Sequence, residues 1–450
     1  MVSLPLTPHR VRFSKVDHTF TSEEAITNLG SLKFSQSNRM PDPKDPSRIV
    51  TTTTTTTFSM AKEMARSVCQ KFLDARFIES VDGKNDFSSK TAVWQLTPKG
   101  MHILQRFCQR NGINQRHVFD VLESPRNTMM LVILERENDT DKLHRDQGTI
   151  EVVFRRFAGV DGPNIKNDTS ASDSDSLSDY ATGMVGVKMA KERKVNGRTY
   201  KETFTGKACV DWIMDCCTVV DRREVVELAG MFCEFGLIQT INAFPPQPKF
   251  VPTKSAIYEI TPKGRRVAGW DVSPKSSLNG DSVSGRRDGA TSRDSNANRM
   301  TVIIRDPALR LLFREFLRDT HCEENLSFYL DVKEFLDVYR AAKGSGSIPK
   351  LDVVRETLAA AYSKFAYEVY LCSGLHYSLS LGLYNAFLAP GSPCELNIDH
   401  TLRTALAARM TRAVGEDDAM IKSLDEVAAL FDQAQTSVFK LMASVRQHSP

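Results

Sequence analysis

The chain has 450 residues, of which 41% are hydrophobic and 25% charged, an ordinary balance for a folded protein. That excludes a wholly disordered chain, a collagen and a multi-span membrane protein, and the length leaves room for roughly three domains. With 59 basic and 55 acidic side chains the net charge is +4, so bulk charge demands no nucleic-acid partner and any basic patch must be local. Nine cysteines, with no C-x-x-C pair, fit neither a disulfide framework nor a zinc ribbon and read as free thiols of a reducing compartment. Residues 1–13 lack the apolar stretch of a signal peptide, and no apolar run reaches the roughly 18 residues of a bilayer span. The expectation is a cytoplasmic protein whose membrane contact is peripheral.

Taken in chain order, the first signal is a repeat. HTFTSEEAITNL (18–29), QKFLDARFIESV (70–81) and WQLTPKGMHIL (94–104) return as ETFTGKACVDWI (202–213), GMFCEFGLIQTI (230–241) and YEITPKGRRVAGW (258–270). Three blocks in the same order mean two versions of one domain. Phe20 to Phe72 spans 52 residues and Phe204 to Phe232 spans 28, and the excess falls at 31–57, a Pro-containing stretch ending in seven threonines. Its composition predicts a loop inserted within the first repeat. In each repeat an i, i+3, i+4, i+7 stripe predicts a helix, as at Val225, Leu228, Ala229 and Phe232. A short apolar strand follows, then a second strand closed by Thr-Pro-Lys-Gly. Asn196-Gly197 predicts a tight hairpin turn. The expected boundaries are 1–157 for the first domain, 158–183 for a Ser/Asp-rich linker, 184–272 for the second domain and 273–300 for a disordered linker.

Residues 301–450 are helical in pattern. The stripes are Leu309, Leu312, Phe313, Phe316 and Leu317; Leu326, Tyr329, Leu330, Lys333 and Leu336; Leu402, Leu406 and Met410; and Val427, Leu430, Phe431, Ala434, Val438, Leu441 and Met442. Ser423 and Glu426 have capping-box spacing and predict the start of the last helix. Several amphipathic helices with short joints predict a bundle.

Catalytic signatures are missing from the sequence. It has no H-E-x-x-H and no G-x-S-x-G, and the phosphate-loop-like TGKA (205–208) has Lys201 and Ala208 where Gly and Ser or Thr are required. The nine histidines lack metal-ligand spacing. No catalytic residue, cofactor or metal is therefore expected. The informative pieces are E-E-N-L-x-F-Y (323–329), then E-L-N-I-D (395–399) about seventy residues on, then F-D-x-A-Q-x-x-V-F-x-L-M (431–442). In this order and spacing they resemble the box of the regulators of G-protein signalling, the RGS family, over about a third of the chain. F-T-G-K-x-x-V-D-W-I (204–213) resembles a DEP domain, a winged-helix module. The first repeat reads as a diverged DEP, with Ser22 in place of the glycine and without the helix that normally opens the module. Two DEP modules before an RGS box resemble the fungal FlbA-type developmental regulators.

The resemblance implies a mostly α fold with small β elements: two winged-helix-like DEP domains followed by an all-α RGS helical bundle. It implies a GTPase-activating protein for the GTP-bound α subunit of a heterotrimeric G protein, restraining that signal in the balance of fungal growth and asexual development. Carried over by motif, Asn397 faces the Gln-bearing switch of Gα, Glu324 and Asn325 hydrogen-bond the neighbouring switch, and Leu441 packs against it. Both asparagines are expected at exposed joints away from the apolar stripes. Family members continue past the last L-M with a further closing segment, whereas this sequence ends ASVRQHSP. A weak activator with Leu309, Phe313 and Phe316 partly uncovered is the expectation.

Lys188, Lys191, Arg193, Lys194, Arg198, Lys201 and Lys207 cluster around the second hairpin. They predict a patch for anionic lipid at the plasma membrane or for a receptor tail. The rivals are a DEP scaffold with an inactive RGS box and a winged-helix DNA-binding protein. DNA is disfavoured, because Asp211, Asp215, Asp221, Glu224 and Glu227 crowd the helices after the hairpin and repel phosphate.

Overall fold

The computed structural model describes residues 1–41, 49–84, 86–110, 113, 115–128, 131–137, 140–166, 185–241, 249–270, 291–344, 383, 387–388, 392, 394–413 and 417–444. Its chain forms two compact units, one of residues 1–32, 58–105 and 116–287, the other of residues 33–57, 106–115 and 288–450.

The first repeat runs β1 (Thr7–Val11), β2 (Ser14–Thr21), α1 (Ser22–Gly30), β3 (Leu32–Pro41), β4 (Ile49–Phe58), α2 (Lys62–Asp74), β5 (Ile78–Ser80), β6 (Val93–Leu96) and α3 (Pro98–Arg110). A short helix α4 (Arg116–Leu122) and a longer α5 (Gln147–Ala158) lead to the second: β7 (Asn164–Lys166), β8 (Lys188–Val195), β9 (Arg198–Thr205), α6 (Gly206–Cys216), α7 (Arg222–Glu234), β10 (Ile238–Thr240), β11 (Ile257–Ile260) and α8 (Pro262–Ala268). The sheets match strand for strand, β1-β2-β6-β5 beside β8-β9-β11-β10, with β7 added to the outer edge of the second. Phe20 lies opposite Trp94 as Phe204 lies opposite Tyr258. Thr21 and Thr205 cap the helices that follow, Thr21 within a full capping box with Glu24. His18 and Glu202, at the same place in the repeat, both take left-handed backbone, as do Arg76 and Gly236.

Several elements differ from the sequence expectation. The 31–57 insertion lies where expected, between α1 and α2, but it is not a structureless loop: β3 and β4 pair into a two-stranded sheet. β-branched threonine favours extended backbone, which outweighs the polarity that suggested disorder. Residues 164–166 of the presumed linker pair in parallel with β8. α5, assigned to the first domain by the 157 boundary, packs into the second: the Phe157 ring meets those of Phe204 and Trp212 edge-on at 5.3 and 5.5 Å, and Phe154 meets Phe232 at 5.2 Å.

The two repeats share polar contacts, of which the Lys99 contact is buried. The motif lysine of the first Thr-Pro-Lys-Gly, Lys99, reaches into the second repeat and donates to the carbonyls of Met214 (2.5 Å) and Val219 (2.6 Å) at the C-terminal end of α6. Arg76 pairs with Asp211 at 3.1 Å, Arg136 makes a two-pronged pair with Glu224, and Arg145 pairs with Glu227. The acids that crowd these helices are thus largely matched by arginines from the first repeat and the connector. The counterpart lysine of the second repeat, Lys263, stays at home and donates to the Phe235 carbonyl.

The other unit carries α9 (Thr291–Arg305), α10 (Pro307–Asp319), α11 (Glu323–Gly344), α12 (His400–Ala413) and α13 (Asp417–Ser444). α9 begins inside the stretch expected as linker. α13 begins at Asp417, so Ser423 and Glu426 lie within the helix and do not cap it. The core holds Leu317, Leu326, Phe328, Val332, Phe335, Leu336, Leu406, Val427, Phe431, Ala434, Val438 and Met442. Val332 takes the core place expected of Lys333, which is exposed. On α10 the buried side is Ala308, Leu311, Arg314 and Leu317, while Leu309 and Leu312 are exposed and Phe313 and Phe316 are partly buried. Asp306 caps α10 ahead of Pro307, whose fixed φ suits the first helical position.

Candidate functional site

α11 and α13 run antiparallel. Tyr329 meets Phe439 with ring centroids 5.9 Å apart, Gln435 donates to the Tyr329 carbonyl at 2.9 Å, Phe335 meets Phe431 at 5.6 Å, and Arg340 pairs with Asp432 at 2.9 Å. From the Tyr329–Phe439 contact to the Phe335–Phe431 contact, one index rises as the other falls. This register sets the start of α11, with Glu324 and Asn325, level with the end of α13, with Leu441 and Met442. Met442 is buried and Leu441 is 39% exposed, so the L-M pair points one side chain inward and one outward.

The third motif joins the same end of the bundle. Phe387 stacks edge-on against Phe328, one turn after Glu324, at 5.5 Å, and its carbonyl accepts from the Leu396 backbone N–H at 2.9 Å. Leu396 is buried, and the Ile398 N–H donates to the Leu396 carbonyl at 3.1 Å, which leaves Asn397 at the exposed apex of a tight turn. Both sides of the turn are braced. Asp399 caps α12 by accepting from the N–H groups of Thr401 (2.9 Å) and Leu402 (3.3 Å), and those hydrogen bonds, with the Thr401 hydroxyl first among them, hold its carboxyl below the usual range. Arg403 bridges Glu395 and the Leu396 carbonyl. The three separated motifs therefore meet at one end of one bundle.

Asn325 differs from its expectation. It is 6% exposed, and its amide donates to the Cys322 carbonyl and to Glu324 Oε1, both at 3.2 Å. It is the brace of the turn that opens α11, and Glu324 beside it is the more accessible of the two. Burial pushes the Glu324 carboxyl above its ordinary range, with the like charge of Glu323 adding to the shift. Sequence reasoning missed Arg403 and Phe387: a single arginine in a helix and a single phenylalanine before a loop carry no pattern.

The basic cluster on the second hairpin is smaller than its seven residues. Lys188 is buried in the sheet, and Lys207 pairs with Asp211 one helical turn on. Arg193 is half-buried, while Lys191, Lys194, Arg198 and Lys201 are exposed around the Asn196-Gly197 turn. Among the described residues no group of His, Cys, Asp or Glu is arranged to hold a metal ion, and no helix is long and apolar enough to cross a membrane.

Residues 299–446 match the family model of the Regulator of G protein signaling domain, and residues 186–260 match that of the domain found in Dishevelled, Egl-10 and Pleckstrin, DEP. Residues 1–124 match the fungal-differentiation regulator winged helix domain, so the first repeat, expected as a second DEP, matches a different winged-helix family. Their common order of hairpin, two helices, two strands and helix is why the two read as one repeat. The chain is 63% identical over 455 residues to the developmental regulator flbA of Emericella nidulans, covering 99% of this chain and 60% of that protein. It is 24% identical over 445 residues to Regulator of G-protein signaling 1 of Schizosaccharomyces pombe, covering 98% and 84%. The chain thus spans under two thirds of the length of the first of these relatives. Matches to a fungal-differentiation winged helix, a DEP domain and an RGS domain thus follow one another in that order, in a chain that is similar along nearly all its length to an FlbA-type RGS regulator.

Proposed function

We propose that this chain is a negative regulator of heterotrimeric G-protein signalling and acts as a GTPase-activating protein on the GTP-bound α subunit. The observation that carries the reading is the meeting of three distant motifs at one end of the bundle, with Asn397 held out on a braced turn. No residue here supplies bond chemistry. Gα already has its water-positioning Gln and its own Arg, so acceleration comes from holding the switches in the geometry of the transition state. An amide suits Asn397 because it both donates and accepts and can orient a Gln without adding charge. Glu324 accepts hydrogen bonds from the neighbouring switch, and Leu441 gives it an apolar contact. Asn325 acts through the turn it braces.

The second hairpin, through Lys191, Lys194, Arg198 and Lys201, brings the bundle to the inner face of the plasma membrane or to a receptor tail. The test of the main reading is single-turnover GTP hydrolysis by a purified fungal Gα with and without the chain. A rate increase that is lost on Asn397→Ala supports it. Binding to Gα·GTP with no change in rate would turn the box into a scaffold.

A further inference from the structure

The first hairpin carries a feature that the second lacks. β1 and β2 are joined by only two residues, Arg12 and Phe13, since Val11 pairs with Ser14. Arg12 occupies left-handed backbone (φ 54°), a place in such turns normally given to Gly or Asn, as Asn196-Gly197 does in the second hairpin. The strain is kept for a tip that ends in a phenylalanine 97% exposed, whereas the next most exposed large apolar side chain among the described residues, Met64, is at 59%. A phenyl ring standing in water forfeits the burial that stabilises nearly every other aromatic residue in this unit.

The ring sits among cations. Arg10, Arg12 and Lys15 are exposed, and Arg10 and Lys15 face each other directly across the strands, an unfavourable like-charge pair. No acidic residue occurs between Thr7 and Val16, and none of the three cations has an ion-pair partner among the described residues. The root of the hairpin, by contrast, is firmly fixed. The Thr19 hydroxyl donates to the Thr7 carbonyl at 3.0 Å, and His9 meets both Thr19 (2.9 Å) and Glu24 of the α1 capping box (3.1 Å). This is a stiff stalk with a fixed base and a basic, aromatic end.

We propose that the β1–β2 tip inserts into an anionic lipid bilayer, with the Phe13 ring at the headgroup–acyl boundary and Arg10, Arg12 and Lys15 on lipid phosphates. An amphipathic tip rewards this because the ring gains an apolar surrounding while the cations remain in the polar layer. A protein partner fits less well. A hot-spot aromatic sits inside a larger patch that excludes water, and a two-residue tip is far below the roughly 800 Å² per partner of a stable interface. Duplex DNA also fits less well, because α2 mixes Lys62, Arg66 and Lys71 with Glu63 and Asp74. The proposal is independent of the RGS reading and of the second hairpin.

The test is sedimentation of the full chain with phosphatidylcholine vesicles with and without phosphatidylserine. Binding should require the anionic lipid, fall with added salt, and drop roughly tenfold or more on Phe13→Ser and about fivefold for each cation changed to Ser. Phe13→Trp should add emission that shifts to the blue on vesicles and is quenched by lipids brominated near the headgroup. Far-ultraviolet circular dichroism should not change, since these side chains are exposed. A Phe13→Ser chain that binds as tightly as the parent overturns the proposal, as does a Phe13→Trp chain whose added emission on vesicles stays that of an indole in water. Loss of binding only when Lys191, Lys194 and Arg198 are changed assigns the membrane contact to the second hairpin instead. Selective loss of duplex-DNA binding by the tip variants, with vesicle binding unaltered, assigns the tip to nucleic acid.

Discussion

At the scale of single residues, the two asparagines at the motif-bearing end of the bundle separate cleanly. Asn397 is exposed at the apex of its turn, while Leu396 and Asp399 on either side hold the loop. Asn397→Ala should slow Gα GTP hydrolysis at least tenfold in single turnover while leaving the thermal midpoint nearly unchanged. Asn325→Ala removes a buried amide from the Cys322 carbonyl, so it should cost about 1–2 kcal/mol of stability and lower activity together with it. If Asn397→Ala melts early and its folded fraction keeps full activity, the role assigned to it is wrong. The sequence revealed both asparagines through their motifs, because motif order survives without coordinates. It could not reveal that one is buried: a polar residue at a helix start reads the same whether it faces Gα or its own turn. Lys188 and Lys207 were misjudged for the same reason, since charge is visible in a sequence and its partner is not.

At the scale of elements, the helices and strands of the repeat were legible because period and turn chemistry agree there. What escaped were elements whose composition argues one way and whose pairing argues another. β7 is three residues that exist only because β8 offers an edge. β4 is a threonine run whose extended preference is satisfied by β3. The start of α13 was misplaced because capping-box spacing also occurs in the middle of helices. One element-level detail is testable in both directions. The glycine of Thr-Pro-Lys-Gly lets α8 lie against the end of β10: a Cβ on Gly264 would stand 2.2 Å from the Leu237 carbonyl oxygen, and one on Gly100 would stand 1.9 Å from that of Phe77. Gly230, inside α7, would meet nothing within 4 Å. Gly264→Ala should therefore lower the melting temperature by several degrees or prevent folding. Gly230→Ala should raise it slightly, because the added helix propensity stabilises the fold by up to about 1 kcal/mol. Equal melting temperatures for the two would mean that α8 shifts freely and that the close approach costs nothing.

At the scale of the molecule, the two winged-helix repeats are coupled by a lysine that sequence reading placed in a home motif. Lys99 is buried with its ammonium on two carbonyls of the other repeat. Burial pulls its pKa from 10.5 down to about 8, with the charge of Asp215 opposing the shift. The unfolded chain binds this proton more tightly between about 8 and 10.5, so the contribution of Lys99 makes the unit more stable as pH rises across that window. Lys99→Met should remove this pH dependence. It should also leave the Met214 and Val219 carbonyls without their donor, a loss of about 1–3 kcal/mol near neutral pH. Arg76 and Arg136 alone should not then keep the repeats coupled, and calorimetry should resolve two transitions where the parent shows one for this unit. Lys263→Met is the control, because its partner, the Phe235 carbonyl, lies in the same repeat and the contact is exposed. That variant should melt as the parent does and keep its slope with pH. A Lys99→Met chain that still unfolds in a single transition with the parent's slope between about 8 and 10.5 would show that the arginine pairs hold the repeats together and that the buried lysine only fills space.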